Sequence, residues 1–163
     1  MRRLFLVILL VALTACAHLS IIHLDKNPWS LGKQETLEMR HWNFEYTSKM
    51  ENNRLIISGR AIPNSTSIPT WASWVQDLWV QVYLSDDDSR VLAKDLRLYL
   101  PMDLDRNQGV PFEFFLTPDG LGSSGPLFIS FGYRMELTAG RSPQPILGQE
   151  TQVFFASQGA LNR

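Results

Sequence analysis

The sequence predicts an all-β domain behind a short targeting segment. Three observations carry the β assignment: apolar residues recur at every second position in seven stretches after Met39, turn-forming clusters separate those stretches, and no stretch sustains a helical period. Successive side chains of a strand point to opposite faces, so apolar residues alternating with polar ones mark a sheet with one dry face and one wet face.

The elements follow in order. Met39–Thr47 places Trp42, Phe44 and Tyr46 on one face and His41, Asn43 and Glu45 on the other. Arg54–Ile62 is the second strand, with Gly59 marking a bulge or a close approach and Pro63-Asn64-Ser65 ending it. Asp77–Ser85 presents Leu78, Val80, Val82 and Leu84 inward and stops at Asp86-Asp87-Asp88-Ser89. Val91–Leu100 is the fourth, with a break near Asp95, because Leu96, Leu98 and Leu100 alternate against Arg97 and Tyr99. Val110–Thr117 turns Phe112, Phe114 and Leu116 inward before the turn chemistry of Pro118-Asp119-Gly120. Leu127–Leu137 is the clearest strand and is expected at the centre of its sheet; Ile129, Phe131, Tyr133 and Met135 share one face. After a proline-containing loop from Gly140 to Gly148, Glu150–Ser157 supplies the seventh. Seven short strands separated by turns predict an antiparallel, immunoglobulin-like β-sandwich over 38–163, with barrel closure as the alternative architecture.

The first fifteen residues have a different character. Arg2 and Arg3 precede an uninterrupted apolar run, Leu4 to Leu13, and Leu13-Thr14-Ala15 leads into Cys16, the chain's single cysteine. A positive start, a short apolar run and small residues before a cleavage point form a secretory signal, and the run is well short of the roughly 20 residues a spanning helix needs. Leu-Thr-Ala-Cys resembles the lipobox of bacterial lipoproteins. That resemblance implies that the Cys16 thiol receives diacylglycerol and that cleavage on its amino side makes it the first residue. Two or three acyl chains hold a protein to a bilayer far more firmly than one, since each buried methylene contributes about 0.8 kcal/mol. Ala17 after the cysteine, in place of Asp, implies for a Gram-negative lipoprotein transfer to the outer membrane, on its periplasmic face.

Loss of Met1–Ala15 removes two arginines and no acid, so the formal charge of −1 becomes −3 over the remaining 148 of the 163 residues. A mildly acidic chain of that length suits one domain with a real core, and it argues against nucleic acid and against a polybasic grip on anionic lipid. No second cysteine exists to form a disulfide, so burial has to hold the fold. Residues 16–37 read as a lipidated tether, because His18, His23, Asn27, Pro28 and Gly32 interrupt any single period; Ile21, Ile22, Leu24 and Trp29 are the residues able to pack back on the domain.

The middle of the chain, from about Leu55 to Leu137, resembles the FxLyD-type bacterial β-sandwich domains. Leu84 and Asp86 fall at the family's Leu and Asp, Val91 and Leu92 at its apolar pair, and Phe112 or Phe114 at its Phe. Three positions depart from the pattern: Ser85 replaces an aromatic residue, Ser89 replaces the turn glycine, and Asn64 lies one residue too far from Gly59. The resemblance implies an extracytoplasmic interaction module and carries over no catalytic residue.

Candidates for chemistry are few. Asp103, Asp105 and Asn107 have the alternating spacing of a calcium loop, but Gly109 stands seventh instead of sixth and Phe114 occupies the place of the bidentate Glu, so a polar hairpin loop is the favoured reading. Asp86-Asp87-Asp88 reads as a solvated turn. Two of the three histidines, His18 and His23, lie in the expected tether, the third being His41, and Ser123 and Ser124 have no base beside them. No nucleophile elbow, metalloprotease helix or phosphate-cradling loop is present in the sequence, and no cofactor is expected. The surface candidate is Trp71, Trp74 and Trp79. Trp71 and Trp74 are expected three apart on a short helical turn, either as a lid over one end of the sandwich or as a binding surface for a sugar or a partner's pocket; the lid is preferred because it buries large rings.

The sequence therefore leads to a lipid-anchored, non-enzymatic binding or scaffolding domain of the bacterial cell envelope, with an envelope protein or a glycan as partner. A pilotin-like component of a secretion or envelope-assembly machine and a glycan-processing enzyme or accessory are the alternatives.

Overall fold

The computed structural model describes residues 18–117, 125–141 and 152–162, and among them there are twelve strands and no helix. In chain order these are β1 (Leu19–Ser20), β2 (Asn27–Pro28), β3 (Gln34–Glu38), β4 (Trp42–Glu51), β5 (Arg54–Pro63), β6 (Trp74–Ser85), β7 (Val91–Tyr99), β8 (Met102–Asp103), β9 (Val110–Leu116), β10 (Phe128–Thr138), β11 (Val153–Gln158) and β12 (Leu161–Asn162). The first sheet has the order β3-β4-β5-β9. The second has the order β11-β10-β6-β7, with β2 added to β10 and β8 to β6, and β1 pairs β12 separately; every pairing is antiparallel. Two sheets with strands β4, β5 and β9 in one and β11, β10, β6 and β7 in the other have the connectivity of an immunoglobulin-type sandwich.

Local chemistry explains the hairpins. Asn52 and Asn53 carry positive φ (50° and 61°), the two-residue turn whose twist matches the flanking strands, and this lets β4 and β5 pair over ten residue pairs from Trp42↔Pro63 to Glu51↔Arg54. Gly59 confirms the close approach expected of it, because a Cβ there would overlap the Glu45 carbonyl of the neighbouring strand. Ser89 adopts φ 64° in the Asp86–Arg90 turn. Asp86 Oδ1 accepts from Arg90 N (2.8 Å) to close that turn.

The core lies between the sheets. Trp42, Phe44 and Tyr46 from the first sheet and Ile129, Phe131, Tyr133, Met135 and Leu137 from the second are buried as alternation expects. Phe44 stacks on Phe131 with centroids 4.3 Å apart and planes 3° from parallel, and Tyr46, Phe112 and Phe114 surround the pair. That aromatic cluster bridges the sheets in a chain without a disulfide. β10 lies between β11 and β6, the central place expected of it.

Four expectations are corrected. The tether of 16–37 is much shorter, because the chain enters the fold at Leu19: β1 pairs β12, Ile21 is fully buried and donates its N–H to Ser89 O (3.0 Å), and β3 extends the first sheet. No single period runs through this segment because it contributes to three different ladders in pieces of two to five residues. His41 is buried instead of facing water, since it precedes β4 in a turn closed by Met39 N–H to Trp42 O (2.9 Å), outside the alternation of the strand. The irregularity expected in β7 near Asp95 falls three residues earlier, at Leu92, which is left without a partner opposite the Leu84–Ser85 step.

The fourth correction concerns the orientation of β7. Leu96 and Leu98 pair with Gln81 and Trp79 on the outer face, while Asp95 and Arg97 pair with Val82 and Val80 on the inner one. Those polar side chains reach the edge of β9 across the gap between sheets. Phe115 N–H donates to Asp95 Oδ2 (2.9 Å), Arg97 Nε donates to Glu113 O (2.8 Å), and Tyr99 OH donates to Pro111 O (3.0 Å). The open side of the sandwich is thus closed by side chains and not by a backbone ladder, and the edge of β9 is covered against pairing with other chains.

Candidate functional site

The three tryptophans of the surface candidate separate. Trp71 lies in a turn in which Ala72 N–H donates to Pro69 O (3.1 Å), and Arg106 holds that turn from below by donating to Pro69 O (2.7 Å) and Ala72 O (3.0 Å). Its ring is half-buried against the core. Trp74 is the first residue of β6 and not part of a helical turn; it pairs with Thr138 on the outer face, and the Arg141 guanidinium sits 5.0 Å from its ring. Trp79 is half-buried on the same outer face, between Arg134 and Leu98. A register slip between Glu136 and Leu137 inserts one residue into β6 and puts Trp74 and Trp79, five positions apart, on one face.

The acidic candidates are engaged in local structure. Asp105 Oδ1 accepts from the N–H groups of Asn107 (2.9 Å) and Gln108 (2.8 Å), and those bonds hold its carboxyl below the usual range. Gly109 then closes the loop with φ 63°. Asp103 pairs with Arg141 at 2.7 Å. Asn107 offers only its backbone to this arrangement, and no group of three or more His, Cys, Asp or Glu able to hold a metal occurs among the described residues. Cys16, Ser123 and Ser124, the Pro118–Gly120 turn and the start of the seventh strand at Glu150 lie outside the described residues.

The buried polar pair of the interior is His41 and Tyr133. Their Nδ1 and OH are 2.6 Å apart, with Phe154 edge-on to the imidazole at 5.4 Å. Burial, assisted by Arg40, pushes His41 below its ordinary value, which favours a neutral ring sharing one hydrogen bond with the Tyr133 phenol. Burial likewise pushes Tyr46, Tyr99 and Tyr133 up to about 12, so none of these phenols offers a phenolate near neutral pH. With only 8% of its surface accessible, His41 has no route to a substrate. Of the other two histidines, His23 contacts the Gly159 carbonyl (Nε2 to O, 2.8 Å).

Two surfaces absent from the sequence reading now stand out. The first is the outer face of the second sheet, where Leu98 is 73% exposed and Leu100 85%, joined by Leu96, Trp79, Phe155 and Val153. The second is a depression of about 510 Å³ on the outer face of the first sheet, lined by Ile56 and Phe115 and ringed by Lys49, Glu51, Arg54 and Glu113. The depression had a sequence signal. Apolar doublets, Ile56-Ile57 and Phe114-Phe115, place one member of each pair outside a strand whose other member is in the core.

Comparison with family models, curated proteins and solved structures gave no match in any of the three. The fold and the site are therefore read from this chain's own residues.

Proposed function

We propose that the chain is a lipid-anchored protein of the bacterial cell envelope whose β-sandwich serves as a binding or scaffolding module. The observation that carries this reading is the junction of Leu-Thr-Ala-Cys with the fold: the cysteine that ends the apolar run stands three residues before β1, where a covalent anchor would attach directly to a folded domain. The buried and loop polar groups of the described residues that sequence singled out for chemistry have structural partners, which supports a non-catalytic role. His41 is bonded to Tyr133, Asp105 caps a loop, and Asp95, Arg97 and Tyr99 hold the edge of β9.

The depression on the first sheet is where an envelope partner would be received, with an apolar floor and two bases and two acids at its rim. A protein surface fits that mixture better than a glycan. The rings that could stack on a sugar lie apart from the depression: Trp71 packs on the core, and Trp74 and Trp79 face outward from the second sheet.

Replacing Cys16 by Ala should abolish incorporation of labelled fatty acid and leave an uncleaved precursor. Labelling that persists in Cys16→Ala, or a mature mass without acyl chains in the parent, would falsify the anchor. Affinity capture with the mature protein should recover envelope proteins, and Ile56→Asp with Phe115→Asp should abolish that capture. Retention on peptidoglycan or polysaccharide instead would move the assignment to the glycan alternative.

A further inference from the structure

A sheet's outer face exposed to water normally carries polar side chains, yet β7 turns its leucines outward. Leu96, Leu98 and Leu100 are 42%, 73% and 85% exposed, and Phe155 on β11, across the same face, is 57% exposed. Burying four such side chains against water-excluding material is favourable by more than the entropy of holding one sheet against it, so a surface of this kind marks a contact.

What covers it is indicated by where the chain leaves the fold. β1 bridges through Ser20 to Arg90, the residue immediately before β7, and pairs with β12. The segment leading into β12 crosses this same outer face: Ala160 N–H donates to Tyr83 OH (3.0 Å), and Gly159 packs beside Trp79. Leu161 and Ile22, close to the point of exit, are both more than half exposed. Upstream of Leu19 only Ala17 and His18 separate β1 from Cys16, and three residues of extended chain span about 10 Å. An anchor so short cannot hold the domain clear of the surface it is fixed to.

We propose that the outer face of the second sheet rests on the lipid bilayer, with Trp79 at the level of the headgroups and Leu96 and Leu98 of β7 against the acyl boundary. The proposal rests on the anchor reading above. The contact is not a polybasic one: Lys94 is exposed on this face, Arg134 is engaged by Asp77 (3.7 Å) and lies over the Phe155 ring (5.4 Å), Glu136 stands beside them, and the turn next to β1 carries Asp86, Asp87 and Asp88. Amphipathic aromatic rings suit the interfacial region, where one side is apolar and the other is wet. The first sheet's depression, on the opposite face, is then turned away from the lipid and open to a partner.

The test uses the full-length protein matured in cells, whose mass is measured and which is then placed in vesicles of phosphatidylethanolamine and phosphatidylglycerol. Leu98→Cys and Lys49→Cys each introduce one thiol for an environment-sensitive label, at exposed positions on opposite faces, and circular dichroism confirms that both keep the parent fold. Iodide should quench the label at position 98 about fivefold less than the label at position 49, as expected for a group lying below the headgroups. Brominated lipid should quench only position 98. Equal iodide quenching at both positions, with acyl chains present in the mass, overturns the proposal and leaves the anchor standing. Shielding of position 98 that appears only as protein density in the vesicle rises assigns the face to a second copy and overturns the lipid as occupant. A mature mass without acyl chains removes the anchor and the proposal together.

Discussion

β7 and β10 have the same written pattern and opposite consequences. Both alternate apolar and polar residues over about ten positions, yet β10 buries Ile129, Phe131, Tyr133, Met135 and Leu137 while β7 exposes Leu96 and Leu98 and turns Asp95 and Arg97 inward. The difference is position in the sheet. β10 has neighbours on both sides and the first sheet beneath it, so its inner residues meet apolar side chains. β7 is the outermost strand of its ladder, and what lies beneath it is the backbone edge of β9, which has unpaired N–H and C=O groups to satisfy. Periodicity thus fixes which residues share a face, and the neighbour decides which face is dry.

The largest expected effect lies at the centre of that contrast. Phe131→Ala on β10 removes the ring that stacks on Phe44, and unfolding in urea should show a loss of about 3 to 5 kcal/mol. A loss below about 1 kcal/mol would mean that the two sheets are held elsewhere. The Trp-rich segment offers a second comparison, between a ring packed on the core and one on the outer face. Trp71→Ala should cost about 2 kcal/mol, whereas Trp74→Ala, whose ring is covered chiefly by Arg141, should cost under about 1 kcal/mol. Equal costs would restore the single lid expected from sequence.

A third effect appears only on the acid side. The folded His41 is held below its ordinary value of 6.5 by burial, so on acidification the unfolded chain takes up this proton first. Stability from this group is complete above about pH 6.5 and declines as pH falls below it, until the folded ring itself titrates. Urea midpoints measured between about pH 7.5 and 5 should fall more steeply for the parent than for His41→Gln, whose amide can still accept from Tyr133. Parallel profiles would show that His41 charges without penalty. The smallest effect is expected on β7, where Leu98→Gln should change stability by no more than about 0.5 kcal/mol. A greater loss would place Leu98 in the core and remove the contrast with β10.

Much of the sandwich is legible in the sequence because strand alternation and turn chemistry are local. Trp42, Phe44 and Tyr46, then Leu78, Val80, Val82 and Leu84, then the β10 series are each inward as written, and the Asp86–Ser89 turn ends β6 where its residues say it should. What failed depended on distant parts of the chain. Ile21 and Leu24, named as able to pack back on the domain, are core residues, but nothing in residues 16–37 names β12 and the Asp86–Arg90 turn as their partners. The sign of β7 depends on β9, about twenty residues later. Of the candidate sites, Trp71, Trp74 and Trp79 were found as residues but not as an arrangement, since one register slip in β6 decides where two of them point. The depression around Ile56 and Phe115 was signalled only by doublets that break alternation.

The pairing of Leu19 with Asn162 joins residues almost a full chain length apart. The first strand has partners at two very different distances along the chain: Ser20 and Ile21 meet Arg90 and Ser89 midway, and β12 only at the far end. Contacts of such sequence separation are reached late and slowly, because the entropy of closing the loop must be lost before any of them forms. The β1–β12 ladder is thus the part of the fold whose closure costs the most chain entropy.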